Sequence, residues 1–246
     1  MPYRQLIRVE KKLNWEELAP LTDAGVTPYR GIKKLRAAGV LGPDRVMAVF
    51  GAGGLGSYAV QYAKLLSSGA TVVVFARSEE KLAIAKERGA DYVINTRGKS
   101  LSDLRDELVR LTGKPMLDAA IDCVGAIETI QTGFVLLATA GAFVSVGLVG
   151  NRIDIPLFLL LPASSRITVP SGRITATCRK FWHWRKKGKS SIPSSKSVLR
   201  RSTKISSCCA VEILSGEQSS YLISLRSHQI VNPWKPWFRP EEALLI

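Results

Sequence analysis

Short apolar runs alternate with amphipathic stretches over residues 46–169 of the chain. Residues 46–50 (VMAVF) and 71–75 (TVVVF) are apolar and rich in β-branched side chains, as strands buried on both faces should be. Residues 92–94, 119–124, 142–146 and 166–169 repeat the signal in shorter or weaker form. The stretches between them read as helices. Residues 57–66 carry helical spacing, and Ser78 is placed to cap a helix that has Glu79 and Glu80 in its first turn and Gly89 at its end. Leucines at 101, 104, 108 and 111 mark another helix, and residues 127–138 a further one. Strands alternating with helices predict a parallel sheet covered on both faces, a doubly wound α/β domain of about six strands. A short acidic helix (residues 15–19) and a longer one (residues 24–38) precede it.

Position-specific chemistry enters at Gly51-Ala-Gly53-Gly-Leu-Gly56, a GxGxxG that follows a predicted strand and opens a predicted helix. That context is what a dinucleotide-binding turn requires. Gly51 permits the tight turn, Gly53 lets the backbone approach a pyrophosphate, and Gly56 lets helix and strand pack closely; Gly54 and Leu55 complete the loop. A ligand-free tight turn and a methyl-donor cofactor are the competing readings of the same glycines. About 20 residues further on, a carboxylate would hold the ribose 2′-OH of NAD. The chain has Ala76-Arg77 there, which removes repulsion against a 2′-phosphate and offers a guanidinium to pair with it. The cofactor expectation is therefore NAD(P), with NADP slightly favoured.

Several blocks in order resemble the zinc-dependent medium-chain alcohol dehydrogenases. They are APLTDAGVTPYRGIKKL (residues 19–35), VFGAGGLGSYAVQYAKLL (49–66), ARSEEKLAIAKERGADYVI (76–94), IDCVGA (121–126) and GAFVSVGLVG (141–150). The resemblance implies a Rossmann-type nucleotide domain over residues 23–172, preceded in residues 1–22 by the end of a GroES-like catalytic domain. It implies hydride transfer between a small alcohol, aldehyde or ketone and a nicotinamide. Zinc would serve as Lewis acid, with Asp23 standing at one ligand position of the family. A helix N-cap is the alternative role for Asp23. Cys123, Val124, Val146 and Gly147 fall where the family lines the nicotinamide pocket with backbone groups, and simple strand core is the alternative for Cys123 and Val146. Thr22 and Thr27 flank Asp23 as further candidates for contact with cofactor or substrate.

The chain departs from the family pattern at both ends. Residues 1–172 hold no His and one Cys, Cys123, whereas a catalytic zinc needs three protein ligands. The expectation is a truncated form whose zinc-dependent hydride transfer is impaired, with no catalytic residue retained. A zinc-free quinone reductase of the same superfamily is the second reading.

Composition changes the picture only near the end. The formal net charge is +15, but residues 1–172 carry 21 Lys/Arg and 16 Asp/Glu, and residues 173–246 carry 14 and 4. Taken alone, the basic run 180–189 with its interleaved aromatics suits nucleic acid or a membrane interface, and a nucleotide-binding module with a nucleic-acid-binding tail is the third reading. A frameshift explains the tail better. Residues 171–196 can be encoded so that skipping two bases gives GAYYGNLQKVLALAKKGKVKHTIVK, close to the turn, helix and strand the family has there. The tail (173–246) is then expected to be irregular and poorly packed, with no selected role for His183, His228, Cys208 or Cys209. Loss of the family's last strand argues against oligomerisation through it. The uncharged run 129–151 contains four glycines and reads as helix, turn and buried strand rather than a membrane span. With no signal peptide and no metal-type cysteine spacing, a cytoplasmic location is expected.

Overall fold

In the computed structural model, residues 7–10, 15–150, 166–168, 209–215 and 220–227 are described. The chain divides into two compact units, Asn14–Ser202 and Met1–Leu13 with Thr203–Ile246.

The larger unit is built on a six-stranded parallel sheet. Its strands are β2 (Val46–Phe50), β3 (Thr71–Ala76), β4 (Tyr92–Asn95), β5 (Leu117–Asp122), β6 (Leu137–Ser145) and β7 (Arg166–Thr168). Their spatial order is β4-β3-β2-β5-β6-β7. Chain direction around the sheet therefore reverses between β2 and β5, and in such sheets ligands bind at that switch point, beyond the carboxyl ends of the strands. The helices are α1 (Trp15–Leu18), α2 (Val26–Ala37), α3 (Gly54–Leu66), α4 (Glu79–Glu87), α5 (Leu101–Thr112) and α6 (Ile127–Val135). A single 3₁₀ turn, Ala19–Thr22, joins α1 to the rest.

Burial follows from that two-sided cover. Every residue of β2 is buried. Phe50, Phe75, Ile94, Leu104, Leu108, Phe134 and Phe143 belong to the core on the α5 and α6 face. There Phe50 stacks on Phe75 and Phe134 on Phe143, with ring centroids 4.8 and 4.7 Å apart. On the opposite face α2 lies so close that a Cβ on Gly31 would come within 2.8 Å of Ile121. The amino ends of the strands are tied by carboxylates. Asp118 accepts from Arg45 at 2.5 Å and from the Val46 N–H at 2.9 Å, and Asp91 accepts from Lys64 at 2.8 Å and the Val72 N–H at 2.7 Å.

The predicted elements are all present, with shifted ends. α3 starts three residues earlier than its helical spacing suggests, because the glycines themselves take helical geometry. The strand expected at 119–124 runs over Leu117–Asp122, and residues 123 and 124 already belong to the turn beyond it. Residues 137 and 138, expected to end a helix, open the long strand β6, whose left-handed Ala140 (φ 62°) bends it near its start. Ser78 occupies the N-cap of α4, but its side chain makes no capping bond. No described helix is long and apolar enough to cross a membrane.

The smaller unit holds three described strands. β8 (Cys209–Ser215) and β9 (Ser220–Ser227) form an antiparallel pair, and β1 (Ile7–Glu10) pairs with β9. The cause is a period-two apolar pattern in both strands. The register sets Ile213 and Ile7 level with Ile223, and Val211 level with Leu225. The basic run 180–189, His183, Cys208 and His228 lie outside the described residues.

Candidate functional site

The turn from β2 to α3 is dictated by its glycines. Gly51 has φ +85°, a conformation that favours glycine, and its N–H donates to the Phe75 carbonyl at 2.7 Å. A Cβ there would overlap Val124, and a Cβ on Gly56 would overlap the carbonyl oxygen of Gly51. Gly53 differs from both. It is the N-cap of α3, has no side-chain capping bond, and a Cβ built on it meets no atom within 4 Å. Gly51 and Gly56 are small because the fold requires it, whereas at Gly53 the empty side faces open space above the first amides of a 13-residue helix. That is the arrangement that accepts a phosphate.

A cleft of about 680 Å³ opens there, at the carboxyl ends of β2, β3 and β5. Of the sequence-predicted residues, Gly51, Gly53, Ala76, Arg77, Cys123 and Val124 line it together. Gly54 and Leu55 sit on the first turn of α3, outside the lining, and Gly56 is buried beneath it. Val146 and Gly147 are also buried and outside the lining. Instead they brace its wall: a Cβ on Gly147 would overlap the Val124 backbone.

That wall is organised by a residue the sequence reading missed. Asp122 is fully buried, and its carboxylate accepts the N–H of Val124 at 3.1 Å and of Gly125 at 2.8 Å, with the Ser145 hydroxyl at 3.4 Å. Its main-chain carbonyl accepts the N–H groups of Val146 and Gly147 at 2.8 and 3.1 Å. One residue thus ties the ends of β5 and β6. Burial raises its carboxyl above the usual carboxylate range, outweighing the bonds from Val124 and Gly125 that pull it down. The available signal was a lone charge between the apolar residues of AAIDCV. Burial, and then the charge of Asp122, push the Cys123 thiol far up, so it remains a neutral wall group.

The cleft also gathers Lys81 from α4, Thr96 and Lys99 from the β4–α5 connection, and Glu128 and Thr129 from α6. Lys81 lies within the family-like block 76–94, and no sequence motif marks the other four.

Comparison with known proteins agrees with this geometry. The family model described as zinc-binding dehydrogenase matches residues 54–185, more than half of the chain. The chain belongs to that family. An NAD-dependent alcohol dehydrogenase of Saccharolobus solfataricus is 40% identical over 151 residues, covering 61% of this chain and 41% of its own length. The crystal structure of the alcohol dehydrogenase of Aeropyrum pernix superposes with a TM-score of 0.65 at 32% identity, covering 74% of this chain and 52% of that one. The D-arabinose dehydrogenase of Sulfolobus solfataricus gives 0.62 at 30% identity, covering 70% and 52%. The chain thus spans about two fifths of the length of the curated relative and about half of each solved one.

The family's zinc finds no fitting ligand set among the described residues. No group of three or more His, Cys, Asp or Glu side chains comes together there. Asp23 is exposed at the end of the 3₁₀ turn, 3.5 Å from the Thr27 hydroxyl that donates to it. Nor does it cap α2, whose N-cap is Gly25. Thr22 is buried and donates to the Ala19 carbonyl at 2.8 Å. None of the three lines the cleft.

Proposed function

We propose that the larger unit binds a nicotinamide dinucleotide in this cleft and serves an alcohol dehydrogenase-type oxidoreductase acting on a small alcohol, aldehyde or ketone. Gly53 carries the reading: it is the one glycine of the motif that lines the cleft with nothing where a side chain would stand. The pyrophosphate is assigned to Gly51, Gly53 and the first amides of α3. The adenosine half is assigned to the wall made by Ala76, Arg77 and Thr96. When bound, the nicotinamide supplies hydride chemistry. The chain's own residues, Gly51 and Gly53 of the β2–α3 turn with Ala76 and Arg77 at the end of β3, position the dinucleotide.

NADP is favoured over NAD. Ala76 stands where a carboxylate would repel a 2′-phosphate, and Arg77 lines the cleft with no ion-pair partner among the described residues. The test is a fluorescence titration of the purified chain with NADPH and NADH, repeated on Gly53→Ala. Binding of NADPH that weakens at least about ten-fold in the variant, with an unchanged melting temperature, supports the reading. Absence of binding by either dinucleotide overturns it.

A further inference from the structure

We propose that Lys99 is a specificity-determining residue for the 2′-phosphate of the dinucleotide and that Glu107 holds it in reserve. The inference rests on the proposed nucleotide cleft and deepens it.

Two connections form one rim of the cleft. β3 and β4 are parallel neighbours with Ala76 level with Asn95, and the Thr96 N–H donates to the Ala76 carbonyl at 2.9 Å. The Asn95 side-chain amide also donates to the Glu79 carboxylate, which links the start of α4 to the end of β4. A turn then brings Lys99 back, its N–H on the Thr96 carbonyl at 3.4 Å. Lys99 is therefore held beside the segment that would recognise the ribose 2′ position.

The charges on this rim are unequal in their engagement. Arg77, Lys81 and Lys99 all line the cleft. Arg77 and Lys81 form no ion pair among the described residues, whereas the Lys99 ammonium pairs with Glu107 in the second turn of α5. Glu107 also faces Arg110, 3.8 Å away, so it is not left unpartnered when Lys99 departs. Glu128, across the cleft on α6, is the acid that opposes these cations within the lining. A Lys ammonium is a point charge on a flexible stem, suited to moving between anions. A 2′-phosphate carries more charge than one carboxylate, so it draws Lys99 from Glu107 when it enters, and a 2′-hydroxyl does not.

The experiment is a titration of the full chain with NADPH and NADH in four forms: wild type, Lys99→Ala, Glu107→Ala and the double variant. The expected result is that Lys99→Ala weakens NADPH about five-fold or more and leaves NADH within about two-fold. Glu107→Ala tightens NADPH, and the double variant behaves as Lys99→Ala, because Glu107 acts through Lys99. Equal weakening of both dinucleotides by Lys99→Ala, or a Glu107→Ala effect that survives in the double variant, overturns the inference. If the wild type binds both dinucleotides and their ratio ignores Lys99, this inference alone fails. If it binds neither, the nucleotide cleft fails with it.

Discussion

The Asp122 carboxylate accepts the Gly125 N–H at 2.8 Å from a fully buried position, so a charge stands inside the sheet to hold a turn at its edge. Such a group costs desolvation, and hydrogen bonds offset only part of it. Because its pKa is raised in the folded protein, the fold binds this proton more tightly than the unfolded chain does. The resulting stability is fully present below the unfolded pKa of about 3.9 and is lost as pH rises through the folded value. Urea unfolding of wild type and Asp122→Asn between about pH 4 and pH 7 should show wild type losing ground to the variant as pH rises. A difference that moves in favour of wild type would mean the hydrogen bonds outweigh burial.

The glycines of the motif should separate into two kinds. Gly56→Ala drives a methyl into the Gly51 carbonyl, a backbone atom that cannot step aside, so its melting temperature should fall by several degrees or more. Gly53→Ala points its methyl into open space and should melt like wild type while losing dinucleotide affinity. Thermal scans with and without NADPH make the distinction; equal melting of the two variants would contradict it.

Asp118 is predicted to matter more than its partner Arg45. Replacing it by Ala orphans the half-buried Val46 N–H as well as the guanidinium, and costs about 1–3 kcal/mol. The Arg45 side chain is 52% exposed, so Arg45→Ala should cost under about 1 kcal/mol. Chemical denaturation of both variants measures the asymmetry, and a larger loss for Arg45→Ala is the contrary outcome.

Leu108 on α5 is fully buried in the core shared with Phe75 and Ile94. Leu108→Ala should cost about 2–5 kcal/mol in urea unfolding. A loss below about 1 kcal/mol would show that the α5 face collapses around the gap.

Much of the fold was legible because its signals are local. The buried strands β2 and β3 announce themselves as unbroken apolar runs, and their ends match the reading to within one residue. Boundaries drifted where no local signal separates the elements. Residues 137 and 138 continue an apolar stretch that suits helix or strand, and pairing of Leu137 with Leu117 in β5 decides for strand. The same limit hid β8 and β9, whose alternation was overshadowed by the serine-rich and basic composition around them.

The site divides in the same way. By itself, the sequence determined the β2–α3 turn, because a positive φ at Gly51 and close packing at Gly56 are demands that only glycine meets and that a spacing of residues can record. It also placed Ala76 and Arg77 at the strand end beside that turn. Only the tertiary structure decided that Lys81, Lys99 and Thr129 share the same cleft, and that Asp122 is a buried brace rather than a surface charge. These residues come from separate connections, and the order β4-β3-β2-β5 brings those connections to one end of the sheet. Asp23 shows the converse. Its position in a motif suggested a metal, but a ligand set depends on several side chains converging in space, and among the described residues none converge there.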